Sequence, residues 1–248
     1  MRAVGPNGVA VEPEPDLAAV AATFREVGGL FVSDPEAVRE RLRACRVLAL
    51  DWDGVFNAGY KTADMGSGFS EPDSMGLNML RFGFWRRDGR LPVTAILSGE
   101  RNPSAAHFAA REHVDAIYLG LTDKHAALLH LCQRHGALPD EVVFVFDDVN
   151  DVAMARVCGL RLLVGRTGSP MLARHVVERA ICDYVTGNGP SAFAVREIAE
   201  LLLGCMGGYN ATIAARTSLD PSFLEFMASR QQVETLRWDG GGAEIVAG

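Results

Sequence analysis

The chain has 248 residues, 48 % of them hydrophobic, with 24 basic against 31 acidic side chains and a net charge of −7. That length supports one sizeable core plus extensions. The charge balance, with no basic run longer than Arg86-Arg87, argues against a nucleic-acid surface. No apolar stretch approaches membrane-spanning length, and the N-terminus lacks the apolar core of a signal peptide. The five cysteines (Cys45, Cys132, Cys158, Cys182, Cys205) are scattered and no pair has metal-ligand spacing, which predicts buried, reduced thiols in a cytoplasmic protein. Because the overall field is negative, a small anionic substrate would need positive charge supplied locally.

In chain order, helical patterns at about 15–27 and 34–44, split by Gly28-Gly29, predict a helical N-terminal extension over residues 1–43. Apolar runs near 46–51, 93–98, 115–120, 142–147 and 160–165 then read as strands. They alternate with helical patterns near 75–88, 103–113, 124–135, 149–158 and 170–180. Repeated strand–helix units predict an α/β fold, a Rossmann-like doubly wound parallel sheet with helices on both faces, over residues 44–204. Asn102-Pro103 and Ser169-Pro170 read as helix starts, Gly136 and Gly159 as helix ends. Residues 57–73, polar and rich in glycine, suggest a short hairpin beside the first strand. Residues 205–248 form a C-terminal tail with one helical stretch near 219–232 and the glycine run 240–242, a composition that predicts partial flexibility.

The strand ends carry the chemistry. The first apolar run ends in Asp51-Trp52-Asp53-Gly54. On a continuing strand both carboxylates face the same way, and the glycine lets the chain turn directly after them. Such a pair suits a carboxylate nucleophile beside a carboxylate acid/base; a solvated Asp-x-Asp-Gly turn is the competing reading. The second run ends in Ser98-Gly99-Glu100, able to offer a hydroxyl and backbone N–H groups to a phosphate, or simply to turn. After the third, Lys124 opens a helix behind a capping Asp123 and is either a point charge for phosphate or a solvated lysine. After the fourth, Asp147, Asp148 and Asp151 are metal ligands, partners of Lys124, or an acidic helix start. If these acids share a site with Asp51 and Asp53, they repel one another, and Mg²⁺ would relieve that repulsion. Sharing one sheet edge makes the four motifs a stronger signal together than any is alone.

The order Asp-x-Asp, Ser, Lys, Asp-Asp-x-x-Asp resembles the haloacid dehalogenase superfamily of phosphohydrolases, over about residues 44–204. The resemblance implies that Asp51 forms an aspartyl phosphate and that Asp53 protonates the leaving alcohol and then activates water. It implies that Ser98, Gly99 and Lys124 hold the phosphoryl group, that Asp51, the Asp53 carbonyl and Asp147 bind Mg²⁺, and that Asp148 and Asp151 support them. The segment Asp53-Gly-Val-Phe-Asn-Ala-Gly-Tyr60, the Asp73-Ser-Met-Gly76 turn, Thr122-Asp-Lys124 and Gly187-Asn-Gly189…Ala194-Val-Arg-Glu-Ile198 look like the 3-deoxy-D-manno-octulosonate 8-phosphate phosphatase branch. That branch implies no separate cap domain and a homotetramer whose neighbouring subunits and hairpin close the site. Asn57 stands where that branch usually has Thr or Ser, and Phe146 where it commonly has Gly. Glu100 and Arg111 look more like related phosphatases acting on nine-carbon 2-keto-3-deoxy sugar acids, and are the expected specificity residues.

Three functions follow as expectations. One is a Mg²⁺-dependent phosphatase of a small sugar-acid phosphate, with no nucleic-acid or membrane partner; a different small phosphate substrate is its variant. Another is a receiver-like phospho-acceptor module, whose acidic pair would precede the acceptor Asp; here Asp147-Asp148 follows Asp51. The third is an inactive scaffold of the same fold, although every motif residue is present.

Overall fold

The computed structural model describes residues 3–4, 10–61, 66–241 and 244–248. Short strands β1 (Ala3–Val4) and β2 (Ala10–Val11) pair antiparallel ahead of α1 (Leu17–Glu26), β3 (Leu30–Phe31) and α2 (Pro35–Ala44). The strand–helix alternation follows: β4 (Val47–Asp51), α3 (Glu71–Asp88), β5 (Val93–Leu97), α4 (Pro103–Arg111), β6 (Ala116–Leu119) and α5 (Lys124–His135). It continues with β7 (Val142–Phe146), α6 (Val152–Ala155), β8 (Leu160–Leu163), α7 (Pro170–Glu178) and β9 (Tyr184–Val185). Helices α8 (Ala194–Cys205), α9 (Tyr209–Thr217) and α10 (Pro221–Arg230) precede a hairpin, β10 (Leu236–Gly241) and β11 (Glu244–Ala247).

Nine strands form one sheet in the order β11-β10-β6-β5-β4-β7-β8-β9-β3, parallel except at its two edges, where β11 and β3 run antiparallel to their neighbours. The doubly wound α/β fold expected from the sequence is the fold observed, with no separate cap domain among the described residues. Alternation along each strand assigns side chains to the two faces. Leu48 and Leu50 join a core with α3, α4 and α8, whereas Val47 and Ala49 join one with α5, α6 and α7. β4 and β7 are buried along their whole length. The chain runs from β4 through β5 to β6, then returns to place β7 on the other side of β4. The strand order therefore reverses between β4 and β7, which is where open α/β sheets bind ligands.

Several local expectations change. Asp73 to Gly76 lie in the first turns of α3 rather than in a turn. Ser70 caps this helix, its Oγ accepting from the Asp73 N–H. Gly76 is needed for proximity: a Cβ there would lie 2.9 Å from the Arg196 Cα of α8. Gly159 likewise serves close approach rather than a helix end, since a Cβ would lie 1.8 Å from the Asp140 carbonyl oxygen. Gly136 does end α5, at φ +59°. Of the expected hairpin over 57–73, residues 62–65 lie outside the described residues; Asp53 and Asn57 form an isolated bridge at its base. In the C-terminal span, β10 pairs in parallel with β6, and Gly240 sits against the Gly120 carbonyl, where a Cβ would come within 2.5 Å.

Buried ion pairs tie the outer elements to this frame. Glu112 accepts from Ser74, Asn78, Arg111 and Arg230, joining α3, α4 and α10. Asp183 accepts from Ser33, Arg41 and Arg161, holding α2 and the end of β3 against β8. All five cysteines are free and buried. No single helix among the described residues is long and apolar enough to cross a membrane.

Because the obstacle at Gly76 is backbone, Gly76→Val is expected to push α8 away from α3 and destabilise the fold by about 1–3 kcal/mol, the usual range for overpacking. The urea midpoint measures this. An unchanged midpoint would show that the two helices have slack at this crossing.

Candidate active site

Asp51 is the last residue of β4, and Asp147 follows the last residue of β7, so adjacent parallel strands deliver two buried carboxylates to one edge of the sheet. Asp151 lies one short turn beyond Asp147. Its Oδ2 accepts from the Asp148 N–H at 3.2 Å, which folds the segment back toward the strand end. Carboxylate oxygens of Asp51, Asp147 and Asp151 all lie within 4.8 Å of one another.

Lys124 stands among them. Asp123 caps α5, accepting from the N–H groups of His125 and Ala126, and so places Lys124 as the first helical residue. Its Nζ lies 2.5 Å from Asp51 Oδ1 and 2.5 Å from Asp151 Oδ1. Burial opposes the ammonium charge, but Asp51 and Asp151 together outweigh burial and hold the lysine protonated. The carboxylates are less well compensated. Burial raises the Asp51 pKa despite Lys124. Burial, followed by the charge of Asp51, raises that of Asp147.

This imbalance suits a hard divalent cation. Its donors would be carboxylate oxygens, the preferred ligands of Mg²⁺. Asp147 Oδ1 is buried with no hydrogen-bond partner, a costly state unless something else engages it. Gly54, at φ +84°, keeps this corner clear: a Cβ there would lie 1.9 Å from Asp147 Oδ2. Asp51, Asp147 and Asp151 are therefore the side chains able to hold the ion.

Asp53 lies apart from this cluster. Its carboxylate accepts from Ser67 Oγ, which in turn accepts from Asn102 Nδ2 at 2.7 Å. Lys61 Nζ is 3.4 Å from the other Asp53 oxygen and 3.6 Å from Glu100. Trp52, between the two aspartates, is fully buried against Phe56, Phe69 and Phe108, which anchors the chain as it leaves β4. Asn57 steadies the same turn, donating from Nδ2 to the Trp52 carbonyl and accepting from the Gly59 N–H.

These groups line one cavity of about 560 Å³, whose wall includes Asp51, Asp53, Gly99, Glu100, Lys124, Asp147, Asp148 and Asp151. Ser98 is fully buried and is not among the lining residues, its Oγ accepting from the Glu100 N–H at 3.1 Å. Asp148 is exposed and pairs with Arg166 at 3.3 Å. Arg111 is not brought to Glu100. It ends α4, about 12 Å of helical rise from that helix's start, and its guanidinium engages Glu71 at 2.6 Å and Glu112 at 2.7 Å.

Four residues the sequence did not single out contribute here: Lys61, Ser67, Asn102 and Arg166. Arg166 donates to Asp147 Oδ2 at 2.9 Å and also lines the cavity. Its signal was present, since Gly165-Arg166 follows the fifth apolar run as the other motifs follow theirs. Lys61 and Ser67 lie in the glycine-rich segment after β4, where spacing says nothing about which side chains turn inward.

No family model matches the chain. The 3-deoxy-D-manno-octulosonate 8-phosphate phosphatase KdsC of Escherichia coli (strain K12) is 29 % identical over 170 residues, 65 % of this chain and 81 % of that protein. The structure of a 3-deoxy-D-manno-octulosonate 8-phosphate phosphatase from Moraxella catarrhalis, in complex with magnesium ion, phosphate ion and KDO, matches with a TM-score of 0.59 and 25 % identity, over 72 % of this chain and 97 % of that one. The cobalt-bound octulosonate 8-phosphate phosphatase of Haemophilus influenzae matches with a TM-score of 0.60 over 73 % of this chain and 99 % of that one, and at 23 % identity it supports the fold alone. Fold, motif order and these relatives agree with the resemblance drawn from the sequence: the chain is similar to the 3-deoxy-D-manno-octulosonate 8-phosphate phosphatases.

Proposed function

We propose that the protein is a Mg²⁺-dependent phosphomonoesterase that hydrolyses a 2-keto-3-deoxy sugar-acid phosphate through an aspartyl-phosphate intermediate. The observation that carries this reading is the buried Asp51–Lys124–Asp151 bridge beside the unpartnered Asp147 oxygen. It joins a carboxylate nucleophile, a fixed positive charge and a hard-cation site within one cavity. Phosphoryl transfer asks mainly for positioning and charge neutralisation, which is what these groups provide.

In the proposed mechanism an Asp51 carboxylate oxygen attacks phosphorus. A bond from that oxygen to phosphorus forms, the bond to the alcohol oxygen breaks, and Asp53 gives its proton to the departing alkoxide. Asp53 then takes a proton from water, whose oxygen attacks phosphorus and displaces Asp51, releasing inorganic phosphate. Lys124 neutralises negative charge on the phosphoryl oxygens and on Asp51. Ser98 and Gly99 hold the phosphoryl group from the end of β5. Asp51, Asp147 and the Asp53 carbonyl would hold Mg²⁺, which supplies positive charge to the transferring group when bound; Asp148 and Asp151 support this arrangement. Ser67 and Asn102 orient Asp53.

The relatives support an eight-carbon substrate, 3-deoxy-D-manno-octulosonate 8-phosphate. A nine-carbon ulosonate 9-phosphate is the second reading, supported by the resemblance at Glu100, which is exposed at the cavity wall. Substrate profiling with both esters decides between them. A cytoplasmic location belongs to the same proposal, supported by five unpaired thiols.

Asp51→Asn removes the attacking oxygen but keeps the side chain's shape, so it should reduce p-nitrophenyl phosphate hydrolysis to background with an unchanged circular dichroism spectrum. The wild type should stop on chelation and recover with Mg²⁺. Hydrolysis by Asp51→Asn at the wild-type rate would defeat the nucleophile assignment. Asp53→Asn should depend on the leaving group. An alkyl phosphate, which needs a proton, should lose about 10²–10⁴-fold, and p-nitrophenyl phosphate much less. Equal losses would remove Asp53 from the acid role.

We also propose a homo-oligomer, a tetramer, because a capless cavity this open needs a neighbouring surface to exclude water. Light scattering at micromolar concentration should give a mass near four chains. A fully active monomer would refute it.

A further inference from the structure

Three cations line the cavity among the described residues, against six carboxylates. Two have at least one carboxylate held at 2.9 Å or closer. Lys124 bridges Asp51 and Asp151 at 2.5 Å and is buried. Arg166 holds Asp147 at 2.9 Å and Asp148 at 3.3 Å. Lys61 differs from both. Its ammonium stands 3.4 Å from Asp53 and 3.6 Å from Glu100, beyond ordinary hydrogen-bond distance, and the side chain is 42 % exposed. Loose, solvated pairs of this kind are readily exchanged for a better-placed anion.

The position of Lys61 matters as much as its freedom. Exposure rises from Asp51, at 6 % of its side chain, through Asp53 at 22 % and Lys61 at 42 % to Glu100 at 66 %. That gradient places the phosphoryl group deep in the cavity and the leaving group toward the mouth, past Asp53 and between Lys61 and Glu100. A leaving group that carries its own negative charge would enter a wall of carboxylates in a protein of net charge −7. It needs a cation at the mouth, and Lys61 is the one not held by closer partners. Arg111, the other candidate from the sequence, is engaged by Glu71 and Glu112.

We infer that Lys61 is a specificity-determining residue that binds a carboxylate on the leaving group, exchanging its loose contacts with Asp53 and Glu100 for that anion. The inference rests on the sugar-acid phosphatase reading and adds the residue that would distinguish an acid ester from the ester of a neutral polyol. Arrival of the acid would also free the Asp53 oxygen that Lys61 faces, so that the ammonium leaves the acid/base group when the correct substrate is bound.

The test uses two esters that differ in one group, D-gluconate 6-phosphate and D-glucitol 6-phosphate, as competitive inhibitors of p-nitrophenyl phosphate hydrolysis by the full-length wild type, Lys61→Ala and Lys61→Arg. Wild type should favour the acid over the polyol by about tenfold in Ki, the scale of one charge-assisted contact. Lys61→Ala should bring the ratio to near unity, Lys61→Arg should retain most of it, and the wild-type preference should shrink as salt rises. No preference in the wild type, or a preference that survives Lys61→Ala, overturns the inference while leaving the phosphatase reading intact. Absence of Mg²⁺-dependent p-nitrophenyl phosphate hydrolysis in the wild type would instead overturn the phosphatase reading itself.

Discussion

The structure depends on how three buried carboxylates and one ammonium are held together at a sheet edge. Asp51, Asp147 and Asp151 come within 4.8 Å of one another, and Lys124 bridges two of them. Such a cluster does not stabilise a fold by itself, since removing charges from water costs more than an imperfect pairing returns. It survives because the surrounding fold leaves it no alternative. β4 and β7 are neighbours and buried throughout, so their ends cannot splay. The cap at Asp123 fixes where Lys124 begins its helix, and Trp52 is locked among three phenylalanines. The stability of the sheet is what keeps these like charges close together.

Much of this was legible in the sequence because strand ends are easy to read. An apolar run followed at once by a charged or hydroxyl residue marks both the strand and its terminus. Asp51, Ser98 and Asp147 stand at such ends and Lys124 at the helix start that follows one; Asp51, Lys124 and Asp147 line one cavity, and Ser98 precedes Gly99 of its wall. The order of the strands was not readable residue by residue, but the right-handed strand–helix–strand rule leaves few arrangements. Less legible were features set by proximity. Gly76 and Gly159 look like turn residues and are instead points where backbone passes close by. The Gly-rich C-terminal span reads as a flexible linker, yet β10 takes its hydrogen bonds from the edge of β6, a partner that composition cannot announce.

The side-chain partners around the site were the hardest to foresee. Arg111 lies eleven residues after Glu100, and sequence spacing does not say that α4 carries it to Glu71 and Glu112. Lys61 and Ser67 belong to an irregular segment with no period to assign its inner face. Arg166 directly follows the fifth apolar run, 160–165, the position that carries the charged or hydroxyl residues of the other motifs.

The cations divide the cavity by depth, and depth sets what each can do. Lys124 is buried between two fixed anions, so any change there disturbs the charge balance of the core. Arg166 is one step out, and its contact with Asp147 leaves the other oxygen of that carboxylate unpartnered and available. Lys61 and Glu100 lie in solvent at the mouth, where a substitution alters the field at the entrance and hardly touches folding. The deep and outer residues are thus under different constraints: the deep set is fixed by the electrostatics of burial, whereas the outer set is free of it.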